Sequence, residues 1–104
     1  MFNKPNPNDL QNIPKLYETE QIETDDKIVH MHFFFQSSDW YAFEFDGNDV
    51  FFGYVILNGD TEMAELGYFS LSELCEVNIK GFEVDRDLYW EPKKFSEIKK
   101  ERGL

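Results

Sequence analysis

Between Ile28 and Phe69 the apolar residues fall into short dense runs, each closed by residues that favour turns. Ile28–Gln36, Trp40–Asp46 and Val50–Leu57 are rich in aromatic and β-branched side chains and are separated by Ser-Ser-Asp and Gly-Asn-Asp, so all three are expected to be strands. Asn58-Gly59 suits a type I′ turn, and Glu62–Phe69 is expected to return from it as a fourth strand. The period then changes. Ser70 and Glu73 have the spacing of a capping box, which predicts a short helix over Leu71–Val77 that buries Leu71 and Leu74. One or two short strands are expected around Gly81. The tail predicts a terminal helix capped near Ser96, with Phe95 and Ile98 facing inward and Gly103 as its stop. The expected fold is α+β: an antiparallel meander of about four strands, a short helix after the fourth and a C-terminal helix.

Ahead of the strands, residues 1–13 hold two of the four prolines and four Asn, which predicts a loosely packed arm with at most one helical turn, capped by Asn8. Residues 14–104 form the single domain. Leu16, Tyr17 and Ile22 are the expected anchors of the acidic segment before the first strand.

Alternation places Met31, Phe33 and Phe35 on one face and Tyr41, Phe43 and Phe45 on one face of the next strand. A three-residue loop, Ser37–Asp39, would pair Phe35 with Tyr41 and Phe33 with Phe43, burying these rings together. That register sets His32 beside Glu44 and His30 beside Asp46. A two-residue loop putting Phe33 against Ala42 and Met31 against Glu44 wastes burial. Val50–Leu57, apolar on both faces, is expected to be the central strand. Gly53 and Ala42 are small where a helix or the N-terminal arm could press on the sheet.

Composition alters this picture in one respect. The 104 residues carry 21 acids against 10 Lys and Arg, a net charge of −11. Ile28 to Ile79 contains no Lys or Arg but nine acids, whereas Lys93, Lys94, Lys99, Lys100 and Arg102 crowd into the tail. An acidic body of this kind argues against nucleic acid as a direct ligand. The 18 aromatics offset a mean hydropathy of −0.55 and supply a core. Cys75 is the only cysteine, and no apolar leader or membrane-length run stands out, so a cytoplasmic protein is expected.

Candidate chemistry is sparse. His30-x-His32 has a spacing that metal sites use, with Glu44, Asp46 or Asp87 as a further ligand; titrating histidines beside carboxylates are the plainer alternative. Cys75 has no basic activator nearby in sequence, and no nucleophile or phosphate-binding motif occurs. Arg86, flanked by Asp85 and Asp87 and followed by Tyr89 and Trp90, has the composition of an interface hot spot or of an internal ion pair. No cofactor and no catalytic residue is assigned.

"PKLYETE", "DWYAFEFDG", "FFGYVILNGD", "ELGYFSLSEL" and "DRDLYWEPK" together resemble the family catalogued as domain of unknown function 2958, from about Pro14 to Ile98. The resemblance implies a small accessory protein of bacterial plasmids, conjugative elements or phages, and brings no activity with it. Binding is therefore expected rather than catalysis: an acidic face bearing Glu44, Asp46, Glu62 and Glu65 would meet a nucleic-acid-binding or defence protein by imitating DNA charge. Arg86, Tyr89, Trp90 and Trp40 are expected at an interface. A small metal- or ligand-binding enzyme built on His30 and His32 is the alternative.

Overall fold

The computed structural model describes all residues, 1–104. Its elements in chain order are α1 (Pro7–Leu10), β1 (Ile28–Val29), β2 (Met31–Phe35), β3 (Ser38–Phe45), β4 (Val50–Ile56), β5 (Glu65–Ser70), α2 (Leu71–Glu76), β6 (Asn78–Ile79), β7 (Phe82–Glu83), β8 (Asp85–Arg86), β9 (Lys93–Lys94) and α3 (Phe95–Arg102). The main sheet has the order β5-β4-β3-β2-β8, antiparallel throughout. An α+β fold with a meander, a helix after its fourth strand and a C-terminal helix is what the pattern predicts. No helix is long and apolar enough to cross a membrane.

The register of the first hairpin differs from the expected one. Phe35 pairs with Ser38 and Phe33 with Trp40 around a two-residue turn, in which Gln36 takes φ 52°. An odd shift in register moves every side chain of one strand to the other face. Trp40 and Ala42 therefore join Met31 and Phe33, while Tyr41 lies opposite. A β-bulge between Ala42 and Glu44, against Gly53 and Phe52, inserts Phe43 as an extra residue. Strict alternation would keep Phe45 beside Tyr41 and Phe43. The bulge returns it to the first face, where its ring lies 4.5 Å from Phe51.

Two cores result, one on each face. Met31, Phe33, Trp40, Ala42, Phe45, Phe51 and Phe69 lie under Leu71 and Leu74 of α2, with Ile13 and Val84. Val29, Tyr41, Phe43 and Ile56 lie under Phe95 and Ile98 of α3. The aromatics can divide between faces because each face has a helix to cover it. Burial on both sides makes β3 the central strand, every residue of it buried, in place of the expected β4. Gly53 is small for the same reason: it faces the Tyr41 backbone across the bulge, not a helix.

Local signals fare better. Ser70 caps α2, accepting from the Glu73 N–H at 3.1 Å. Lys80 and Gly81, at φ 55° and 86°, turn β6 into β7. Gly103, left-handed at φ 69°, ends α3, but that helix starts at Phe95 with no side-chain cap, its first N–H donating to the Lys27 carbonyl at 2.9 Å. Asn58 and Gly59 do adopt positive φ, 54° and 70°, yet β5 begins at Glu65 and not Glu62. The turn docks instead on the first hairpin, Gly59 N–H donating to the Ser37 carbonyl and Asn58 N–H to Ser38 Oγ, each at 2.9 Å.

The first thirteen residues are not loosely packed. Phe2 bridges Asp85 in parallel and closes the β8 edge, its N–H donating to the Val84 carbonyl. Ile13 enters the core, and the helical turn is capped by Asn6 with Asp9 completing a capping box.

Candidate functional site

On the α3 side of the sheet, the register brings together a polar cluster that no sequence motif announces. His32 Nε2 lies 2.7 Å from Asp39 Oδ1, and its Nδ1 lies 3.3 Å from Asp87 Oδ2. The imidazole stacks on Tyr41, centroids 4.7 Å apart and planes 7° from parallel, with Trp90 at 5.1 Å. Arg102, from the last turn of α3, donates to Asp39 Oδ2 at 3.0 Å and to the Tyr41 hydroxyl at 2.7 Å. Trp90 is held by its Nε1–H on the Val29 carbonyl at 2.9 Å, with the Lys93 ammonium 4.6 Å above its ring. A single chain of contacts thus ties β1, β2, β3, the segment before β9 and α3.

The electrostatics follow from burial. Burial alone would raise the Asp39 carboxyl, but hydrogen bonds from His32 and Arg102 and the Arg102 charge hold it below the ordinary carboxylate range. Burial and the Asp39 charge push the Tyr41 phenol up to about 12, against the opposing pull of Arg102. Tyr41 is therefore a hydroxyl at neutral pH and offers no phenolate. His30 makes no such contacts; burial lowers its imidazole below 6.5.

These shifts set a pH dependence. Below about pH 6.5 the unfolded chain protonates at His30 while the folded chain resists, so stability falls as pH drops. The Asp39 contribution is full above its ordinary range and is lost only as pH falls through its depressed folded value. Acidification is expected to destabilise in two stages, and His30→Gln to abolish the upper one, as urea midpoints at about pH 7.5, 5.5 and 3 would show.

The paired-histidine expectation is corrected by this geometry. The two histidines differ in surroundings, both His32 ring nitrogens already face carboxylates, and the partners are Asp39 and Asp87 rather than Glu44. No group of three His, Cys, Asp or Glu side chains is placed to hold a metal ion. Asp39 lies in β3 and not in the expected loop Ser37–Asp39, which is what brings its carboxylate to His32. Arg102 was detectable, since Phe95, Ile98 and Arg102 share one helical face.

Glu44 is also not a surface acid. It is 4% exposed and accepts from the N–H groups of Tyr17 at 2.9 Å and Thr19 at 3.1 Å, and from the Thr19 hydroxyl. Lys27, itself buried, donates to the Thr19 carbonyl and to its hydroxyl. The segment before β1 is thus fastened by Glu44 and not by Tyr17 or Ile22, which are exposed. Trp40 is buried in the first core. Arg86 follows the internal alternative, pairing with Asp9 at 3.2 Å and donating to the Asn3 carbonyl at 3.0 Å, which ties down the N-terminal segment. Of that group only Tyr89 stands free, at 92% exposure.

The remaining acids do lie outside. Asp46, Asp60, Glu62, Glu65, Glu73 and Glu76 are exposed, and none forms an ion pair. Asp46 staples its own turn, with the Asn48 N–H and then those of Asp49 and Val50 holding its carboxyl low. The tail cations are engaged elsewhere: Lys99 with Asp25, Lys94 with Asp26, Lys93 with Glu101 and Arg102 with Asp39. Charge is therefore neutralised around α3 and left uncompensated over the lysine-free half.

No curated protein and no solved structure matches the chain. One family does, over residues 9–99, with the resemblance seen from Pro14 to Ile98 lying within that span. The chain belongs to the family described as Protein of unknown function (DUF2958).

Proposed function

We propose that this protein is a non-enzymatic binding module whose acidic surface engages a basic protein, specifically a DNA-handling or defence protein met in the cytoplasm by a bacterial mobile element. The observation that supports it is the set of six exposed carboxylates without a cation partner, in a domain whose tail cations are all but one paired. Glu65 stands on β5, Asp46, Asp60 and Glu62 in the turns at either end of β4, and Glu73 and Glu76 on α2, an acidic surface that favours a partner whose basic cleft is built for phosphates. The mobile-element setting comes from the family resemblance. Asp46, Asp60, Glu62 and Glu65 carry the interaction, with Tyr89 as a separate exposed aromatic. Glu44, Arg86, Trp90 and Trp40 support the fold beneath.

Capture of partners from bacterial lysate on the immobilised protein, eluted by a salt gradient, tests this. Surface charge pairs are screened within about 8 Å at physiological ionic strength, so a nucleic-acid enzyme leaving at moderate salt is the expected result. A partner retained equally at high salt would contradict it.

A further inference from the structure

The sheet has one open edge. The β8 side is closed by Phe2, whereas β5 pairs only with β4, and no backbone hydrogen bond outside the ladders involves Glu65–Ser70. In an antiparallel edge strand, alternate residues turn N–H and C=O outward, where another strand can pair with them. Edges of this kind are commonly blunted by lysine or proline. Glu65–Ser70 has neither, and its exposed residues include Leu66 and Tyr68.

A hollow lies on each side of this edge. On the α3 face, a cleft of about 260 Å³ is walled by Tyr17, Phe52, Leu66 and Tyr68, with Glu20 and Glu44 at its polar end. The Phe52 and Tyr68 rings are 5.2 Å apart. Lys27 also lines it, but its ammonium is directed to Thr19. The Tyr17 hydroxyl, then burial, then neighbouring Tyr17, Glu44 and Glu20 raise the Tyr68 phenol, so the mouth presents a neutral hydroxyl. On the α2 face, a hollow of about 470 Å³ is lined by Val55, Leu57, Met63 and Gly67 with Asp60 and Glu65. Gly67 presents no side chain and leaves that hollow open.

We infer that the β5 edge accepts an extended basic segment of the partner as an added strand, its alternate side chains entering the two hollows. This rests on the acidic-surface reading and supplies its geometry. Main-chain pairing gives affinity, and alternate pockets give selectivity. On the α3 face, aromatic rings beside a carboxylate take an Arg or Lys head through cation–π contact and charge. On the α2 face, Leu57 and Met63 take an aliphatic side chain. A second copy of this chain is disfavoured there, since it would bring together two stretches, Ile28 to Ile79, that each hold nine acids and no Lys or Arg.

The probes are three eight-residue peptides offered to the full-length protein: alternating Arg-Val, the same composition as a block of four Arg then four Val, and alternating Glu-Val. The alternating basic peptide is expected to bind about tenfold more tightly than the block form, with the glutamate peptide inert. Amide shifts and slowed hydrogen exchange should localise to Glu65–Ser70. Glu65→Lys and Tyr68→Ser are expected to weaken binding about tenfold, and Glu97→Gln, exposed on α3, to leave it unchanged. Equal binding of the two basic peptides, shifts outside β5, or no binding of either would each overturn edge docking. The acidic-surface reading is judged separately, by salt-sensitive capture of a partner, and survives those outcomes.

Discussion

Gly53→Ala is expected to destabilise the protein by more than about 4 kcal/mol, enough to leave much of a domain of ordinary stability unfolded. A Cβ at that position would lie 1.9 Å from the Tyr41 carbonyl oxygen, 2.9 Å from its carbon and 3.1 Å from Ala42 Cα. All three are backbone atoms of β3, the strand on which both cores rest. Relief would require breaking the ladder where Tyr41 faces Tyr54 and Ala42 faces Gly53, next to the bulge that separates Phe43 from Phe45. The control is its register partner, Gly67, where a Cβ meets nothing within 4 Å. Gly67→Ala is expected to stay within about 0.5 kcal/mol of the parent. Urea unfolding followed by circular dichroism separates the pair; a well-folded Gly53→Ala protein of parental stability would refute the bulge.

Glu44→Ala is expected to cost about 3 kcal/mol or more, the sum of stranding several buried donors at once. The substitution takes away the acceptor of two backbone N–H groups and of the Thr19 hydroxyl at once. The Lys27 ammonium, bound to the Thr19 carbonyl and hydroxyl, loses only its indirect link to Glu44 through that hydroxyl. Each stranded donor costs about 1–3 kcal/mol. A surface glutamate would change stability by no more than about 0.5 kcal/mol, so the urea midpoint distinguishes a fastening from a contact residue. Faster proteolysis near residues 15–24 should accompany the loss, since Glu44 holds that segment to the sheet. Glu44→Gln, keeping one carbonyl oxygen, should recover part of it.

What the chain disclosed about itself depended on range. Ser70 with Glu73, Lys80-Gly81 and Gly103 act within a few residues, and their chemistry points to one local geometry. The first hairpin had no such signal. Its turn is made by Gln36 in a left-handed conformation, where a glycine or Asn-Gly pair would have been diagnostic, and the bulge at Phe43 has no local marker. Register decided everything downstream: which face each ring occupies, that Asp39 is a strand residue, and that His32 meets Asp39 and Asp87. Glu44 reads as one acid among many until the fold places the Tyr17 and Thr19 amides against it. The charge asymmetry was legible from composition, whereas the engagement of the tail cations by Asp25, Asp26 and Asp39 required the fold.

The most direct test of the binding account compares capture from bacterial lysate by the parent protein and by the Asp60→Asn/Glu62→Gln/Glu65→Gln variant, side by side over a series of salt concentrations. The three side chains are exposed and unpaired by cations, so the variant should fold as the parent does. The account predicts a basic DNA-handling protein on the parent, released as salt rises, and its absence from the variant at every salt. The same partner held equally by both proteins would contradict it.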